Sequence, residues 1–160
     1  MTEMRRKDRA KSREFSLELI DRCTHGVLAL TTGEDTPYCL PLTFARVENS
    51  LYFHAARTGR KTDLLRACPK VCVTFVGQDR PTHEAEINNF TTKFASAIVT
   101  GTAREVTDEA EKIAALSALC QKTLPHAMAD DSFQRAVASS LHRTAIWRID
   151  MEEISGKSNA

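Results

Sequence analysis

The sequence predicts a mainly β protein with flanking helices, and three observations carry this prediction. Apolar or alternating segments of strand length recur along the chain. Most of them are joined by short connections, which favours an antiparallel barrel over a sheet of parallel strands with crossover helices. Helical patterns are confined to the margins of these segments. The strand-like segments are residues 26–32, 38–47, 51–55, 70–77, 94–106 and 144–154.

Bulk composition predicts a single domain over residues 1–160, soluble and cytoplasmic. The 160 residues suffice for one core, and 42% apolar with 27% charged residues is an ordinary soluble mixture. A net charge of +1 indicates neither a nucleic-acid nor a membrane partner, and no apolar run approaches the roughly 20 residues of a membrane span. Five irregularly spaced cysteines and the absence of a signal-peptide core favour reduced thiols in the cytoplasm.

The first third of the chain begins with residues 1–13, which hold six basic and two acidic side chains. A solvated lead-in is expected there, with an arm for an anionic partner as the alternative. Residues 16–23 predict a helix capped by Ser16 and ended by the pair His25-Gly26. The strands 26–32, 38–47 and 51–55 follow, and the internal Pro41 predicts a sheet edge or bulge.

The rest of the chain begins with the alternating strand 70–77 and a polar loop at 78–89. Gly101, inside the strand 94–106, predicts a bulge or corner of a closed sheet. Thr107 is the expected N-cap of a helix reaching about Lys122. A second helix at 131–141 and a final strand at 144–154 complete the prediction, and they are read from apolar spacing.

A cationic turn between a strand and a helix is the feature that most suggests a ligand. The stretch from His54 to Leu65 reads HAARTGRKTDLL. Small residues and Gly59 precede Arg60 and Lys61, and a helix opens directly after them. Fixed positive charge and free backbone N–H groups together suit a phosphate, although an ordinary exposed turn would look the same. The spacing fits neither a Walker motif nor a dinucleotide-binding Rossmann motif.

Seven segments in order carry a resemblance to a known family. They are MRRKDR (4–9), GVLAL (26–30), PYCLPLTF (37–44), LYFHAARTGRKTDLL (51–65), CPKVCVTFVG (68–77), FTTKFASAIVTGTAREV (90–106) and TAIWRIDMEEISGK (144–157). The chain resembles the FMN-binding split barrels related to pyridoxamine 5′-phosphate oxidase, and within them the nitroimidazole-resistance (Nim) proteins. The resemblance implies a six-stranded antiparallel Greek-key split barrel, with FMN as cofactor at the interface of a homodimer.

The resemblance also implies roles for particular residues. The strand LPLT would lie along the flavin ring, the cationic turn would bind its phosphate, and His54 would be the catalytic residue that hydrogen-bonds the acceptor. Trp147 and the terminal ISGK would reach the partner's flavin. Phe94 stands where Nim proteins often have tyrosine, which removes one potential hydroxyl donor. The implied cofactor-binding residues are Leu40, Pro41, Leu42, Thr43, Phe53, His54, Ala55, Arg60, Lys61, Thr91, Thr92, Lys93 and Ser96.

The function implied is an FMN-dependent oxidoreductase that reduces a small acceptor such as a 5-nitroimidazole. A non-catalytic module for flavin, haem or a deazaflavin is one alternative. A pyridoxamine-phosphate oxidase is another, disfavoured because the ending IDMEEISGKSNA lacks additional basic residues for a substrate phosphate. No metal site is expected, since His83, Glu84 and Glu86 lie in a polar segment without further ligands.

Overall fold

The computed structural model describes residues 4–159, which form an eight-stranded sheet in which every pairing is antiparallel. The mainly β class with flanking helices is therefore confirmed. The strands are β1 (Ala10–Lys11), β2 (His25–Leu30), β3 (Tyr38–Thr43), β4 (Ala45–Val47), β5 (Ser50–Ala56), β6 (Lys70–Glu84), β7 (Asn89–Glu105) and β8 (Thr144–Ser158). The α-helices are α1 (Arg13–Arg22), α2 (Arg60–Ala67), α3 (Glu109–Thr123) and α4 (Ser132–Ser140). None of the helices in this part of the chain is long and apolar enough to cross a membrane.

The two end strands of the sheet meet in sequence at Phe44. Strands pair in the order β3-β2-β6-β7-β8-β5-β4, so β3 and β4 stand at opposite ends of the path. Phe44 alone separates them in sequence, which brings the two ends of the sheet together. Its ring is fully buried and makes edge contacts with Phe53 and Phe75 at 5.5 and 5.6 Å between centroids. The predicted strand 38–47 is therefore wrong as a single strand.

The strand count also differs from the six expected. The short β1 pairs with β8, through Ala10 opposite Lys157 and Lys11 opposite Gly156. The short β4 pairs with β5. Part of the basic lead-in is thus joined to the sheet, and Arg9 lies over the Phe94 ring at 5.8 Å. Met1–Glu3 and Ala160 lie outside the described residues.

The polar loop expected at 78–89 is wrong, because β6 and β7 form one long hairpin. Residues 78–84 pair with residues 89–95, beyond the part of β6 that pairs with β2. Asn88, with a φ of 49°, turns the chain at the tip. The polar side chains suggested that the backbone N–H and C=O groups here were solvated. They are instead satisfied by hydrogen bonds between the two arms of the hairpin.

Helix boundaries shift by a few residues at two predicted caps. Ser12, not Ser16, is the N-cap of α1, and its Oγ accepts a hydrogen bond from the Phe15 N–H at 3.2 Å. Asp108, not Thr107, caps α3 by accepting from the Glu111 N–H at 2.7 Å. Ser16 instead packs fully buried in the second turn of α1. In both cases two nearby residues have side chains that can cap a helix, and tertiary packing decides which of the two does so.

Replacing Ser12 with alanine is expected to lower the free energy of unfolding by about 1 kcal/mol, because one N-terminal N–H of α1 loses its acceptor. Chemical denaturation would measure the change. Ser12→Thr keeps the hydroxyl and is expected to lose much less. Equal stability of the Ser12→Ala variant and the parent would contradict the assigned cap.

The barrel interior is filled by side chains that alternate along the strands. Leu28, Val73 and Val99 are fully buried in three successive strands. Trp147 is also buried in this core, 2% exposed, and its Nε1 finds no hydrogen-bond acceptor among residues 4–159. The expectation that Trp147 reaches a partner's flavin is therefore wrong, since its side chain faces inward.

Candidate functional site

The cationic turn, residues 59–61, forms the start of α2. Gly59 is the N-cap with φ of 121°, a conformation that favours glycine, and its carbonyl accepts from the Asp63 N–H at 3.0 Å. Thr62 is fully buried and its Oγ1 donates to the Ala56 carbonyl at 3.1 Å. This bond ties the turn to the end of β5. The helix start thus presents its free N–H groups and both cations from a fixed backbone.

Both cations lie over aromatic rings at one end of the barrel. The Arg60 guanidinium is 4.6 Å from the centroid of Tyr38, the first residue of β3. The Lys61 ammonium is 5.5 Å from the ring centroid of Phe53 in β5. Neither cation forms an ion pair with any described carboxylate. Burial lowers the pKa of the Lys61 ammonium, so this charge is held partly desolvated and without a counter-ion.

β3, which holds the predicted ring-binding residues, is an edge strand. Among the described residues it pairs only with β2, where Pro41 lies opposite Val27. The edge position predicted from Pro41 is confirmed. Leu40 and Leu42 are half-buried and pack against the core, while Pro41 is exposed. The free edge of β3 can therefore offer backbone N–H and C=O groups to a ligand.

His54 and its neighbours lie on opposite faces of β5. Phe53 is fully buried and Ala55 is 7% exposed, and both belong to the barrel core. His54 is exposed on the outer face. A ligand outside the barrel can thus contact the His54 ring, whereas Phe53 and Ala55 offer it backbone atoms.

A cavity of about 520 Å³ lies beside His54, between the sheet and the helices α3 and α4, and we call it the α3–α4 chamber. Its floor includes Thr43 at the end of β3, His54 of β5 and Thr144 at the start of β8. Its walls come from the two helices and from Leu124, which directly follows α3. They are Leu116, Leu119, Cys120, Thr123, Leu124, Phe133, Ala136, Val137 and Ser140.

The remaining predicted residues lie on the outer part of the β6–β7 hairpin. Thr91, Thr92 and Lys93 pair with residues 80–82, and Ser96 pairs with Val76. Lys93 forms an ion pair with Glu84 at 2.6 Å. Within residues 4–159, no hydrogen bond or ion pair joins these four to His54 or to the cationic turn. One chain therefore brings β3, His54 and the cationic turn together, and leaves the β7 group apart.

Sequence reasoning missed two residues that shape the site, Tyr38 and Thr62. Tyr38 opens the strand YCLPLT, and no spacing signal links it to Arg60 across the turn between strands. Thr62 directly follows the two cations, and its place at a helix start was the available signal. Elsewhere, His83 stacks on Phe90 at 4.3 Å between centroids. The described residues contain no group of three or more histidine, cysteine or acidic side chains that could hold a metal.

Comparison with known proteins decides the family. The family model described as pyridoxamine 5′-phosphate oxidase matches residues 12–158. The chain belongs to this family. The match spans every strand from β2 to β8, the cationic turn and His54. None of the curated proteins matches the chain in sequence.

Solved structures of this family share the fold. A candidate 5-nitroimidazole antibiotic resistance protein from Bacteroides thetaiotaomicron superimposes with a TM-score of 0.77 at 20% identity, covering 92% of this chain and 84% of that one. The flavocytochrome Anf3 from Azotobacter vinelandii gives 0.80 at 22% identity, covering 99% and 72%. An FAD and heme binding protein from Mycobacterium smegmatis gives 0.72 at 22% identity, covering 93% and 72%. The predicted split-barrel class is thereby confirmed.

Proposed function

We propose that this protein of the pyridoxamine 5′-phosphate oxidase family is an FMN-binding oxidoreductase. The observation that carries the proposal is the position of β3. Its first residue, Tyr38, lies under Arg60 of the cationic turn, and its last, Thr43, lines the α3–α4 chamber with His54. Six strand residues span about 17 Å, the scale of an extended flavin mononucleotide. One edge strand thus runs from the cationic turn, which suits a phosphate, to the region around His54, where the flavin ring would lie.

The phosphate end fits on the chemistry of its donors. A phosphate brought to the turn would meet Arg60, Lys61 and the N–H groups of α2. The partly desolvated Lys61 has no described acidic partner, and an anionic ligand would supply one. These features support FMN over riboflavin, which has no phosphate.

The ring end fits because the free edge of β3 and its half-buried leucines can accept a flat, largely apolar ring. Structural neighbours whose names mention flavin, FAD or heme support a flavin in general. A bound flavin supplies the electron-transfer chemistry. The chain's own contribution is to orient the ring along Leu40–Thr43 and to place His54 beside the acceptor. His54 would donate a hydrogen bond to an acceptor such as a nitroaromatic. Reduction of a nitro group to the amine and water consumes six electrons and six protons, which an external reduced donor would supply through the flavin in successive two-electron steps.

A homodimer is part of the proposal, and the outer face of β3, β2, β6 and β7 supports it. Val27, Val76 and Ile98 are 40%, 60% and 38% exposed on this face. Register places them in rows with other uncharged side chains: Ala29, Cys39, Pro41, Cys72, Thr74 and Thr100. A contiguous uncharged face of this kind is typical of a protein interface.

The hairpin tip supports the same arrangement. Phe90 is 78% and Ile87 is 70% exposed at the end of the long β6–β7 arm. An arm that projects beyond the sheet body can contact a second copy. Thr91, Thr92, Lys93 and Ser96, which lie apart from the cationic turn of their own chain, would then contact the flavin bound by the partner.

The proposed function is tested by the visible spectrum of the purified protein and by titration with FMN and with riboflavin. We expect a flavin spectrum, and FMN binding at least tenfold tighter than riboflavin binding, because only FMN engages the cationic turn. Equal affinity for the two would contradict the phosphate assignment. A haem Soret band without flavin absorbance would favour the haem-binding alternative. Light scattering would test the dimer, and a flavin-loaded monomer would contradict it.

A further inference from the structure

The lining of the α3–α4 chamber contains no charged side chain. All of its twelve residues are apolar, hydroxyl-bearing, cysteine or the single imidazole of His54. The charged groups near the same helices face elsewhere. Arg57, Glu109 and Lys112 line a neighbouring cavity between the start of α3 and the end of α4. The chamber is therefore an uncharged compartment whose volume of about 520 Å³ suits a small molecule.

The chamber adjoins the part of the site that is proposed to bind the flavin ring. Thr43 and His54 line it, and the same two residues end the proposed ring-binding part of the site. The step from chamber to acceptor site rests on the proposed function, because it assumes that the ring lies along β3. The chamber itself is formed entirely by residues of one chain and needs neither flavin nor a partner.

We propose that the α3–α4 chamber is the acceptor site, and that it selects a small neutral, largely apolar molecule whose hydrogen-bond acceptor meets His54. Leu116, Leu119, Leu124, Phe133 and Val137 supply apolar contact. A carboxylate or phosphate in this cavity would lose part of its hydration without a described cation in the lining, which disfavours an anion relative to a neutral molecule. Substrates of the pyridoxamine-phosphate type are thereby excluded from the chamber.

The first test compares two probes of similar size, neutral 4-nitrobenzyl alcohol and anionic 4-nitrobenzoate. Ligand-observed NMR titration would give both dissociation constants for the flavin-loaded protein and for the flavin-free protein. We expect the alcohol to bind at least tenfold tighter than the carboxylate in both. Equal affinity, tighter binding of the carboxylate, or no binding of the alcohol at millimolar concentration would overturn the proposal.

The second test locates the probe with a matched pair of variants on α4. Ala136 is exposed and lines the chamber, whereas Ala138, two residues later, is exposed and lines the neighbouring cavity. Ala136→Trp is expected to weaken binding of the alcohol at least tenfold by filling the chamber, and Ala138→Trp to change it less than twofold. Binding that ignores Ala136→Trp would overturn the proposal, and circular dichroism would confirm that both variants fold.

His54 provides the third test. His54→Phe keeps an aromatic ring on the chamber floor but removes the hydrogen-bond partner, and we expect roughly fivefold weaker binding of the alcohol.

Competition with FMN separates this proposal from the proposed flavoenzyme function. If FMN displaces the alcohol, the chamber belongs to the flavin and the inference is wrong. If FMN fails to bind while the alcohol retains its dependence on Ala136, the proposed flavoenzyme fails and the neutral-ligand site stands.

Discussion

Replacing Lys61 with methionine is expected to weaken FMN binding by about 1.5–3 kcal/mol, the scale for losing a hydrogen bond to a charged group. Methionine keeps an unbranched stem that can cover the Phe53 ring, where the Lys61 ammonium lies 5.5 Å from the centroid. The loss is therefore expected to come from the charge. Fluorescence titration with FMN would measure it.

The same substitution is expected to stabilise the flavin-free protein. Burial lowers the pKa of Lys61 in the folded state, so below that pKa the folded chain carries a partly desolvated charge that the unfolded chain solvates freely. The resulting destabilisation is relieved as the pH rises through the folded pKa toward the unfolded value. Lys61→Met removes it at neutral pH. A rise in melting temperature together with a loss of FMN affinity would mark Lys61 as a ligand-binding cation.

The matched control is Lys112→Met, which removes the same charge from α3, where Lys112 lines the cavity that adjoins the α3–α4 chamber. Its FMN affinity is expected to stay within twofold of the parent. If Lys61→Met left FMN affinity unchanged, or if both variants lost it equally, the phosphate assignment would be contradicted.

Replacing Gly101 with alanine is expected to lower the free energy of unfolding by about 2–3 kcal/mol through overpacking. A Cβ built at Gly101 would lie 2.2 Å from the Asp150 carbonyl oxygen and 3.0 Å from the Ile149 side chain. The obstacle is backbone of the neighbouring strand, which cannot rotate away. The β7–β8 register also shifts between Thr100 and Gly101, so the glycine sits at the predicted bulge.

Urea denaturation would measure the Gly101 effect, with Gly33→Ala as its control. Gly33 has a φ of 80°, and a Cβ built there would lie within 4 Å of no described residue other than its two chain neighbours. Its replacement is expected to cost only the backbone strain of about 1 kcal/mol. A Gly101→Ala variant as stable as the parent would show that the close approach to β8 is relieved without cost.

The sequence by itself determined the local features of this protein. Alternating apolar residues defined the strands, Pro41 indicated an edge and Gly101 a bulge, because these patterns follow from the period of a strand and from single-residue sterics. The cationic turn was also visible, since glycine, two cations and a helix start are consecutive. Its binding of FMN, the dimer, and the single domain over residues 1–160 stay predictions.

Only the tertiary structure decided what the turn and His54 face. The Arg60 guanidinium lies over the Tyr38 ring, and Thr43 lines the α3–α4 chamber together with residues of both helices. The stretches of sequence between these residues carry no periodic signal that would predict the contacts. The hairpin at 78–95 was missed for a different reason: its polar side chains indicated a loop, while pairing between its two adjacent arms satisfied the backbone. Contacts such as that of Arg60 with Tyr38 depend on how the fold brings the two end strands of the sheet together at Phe44, and the physical cause is global packing, which no local pattern encodes.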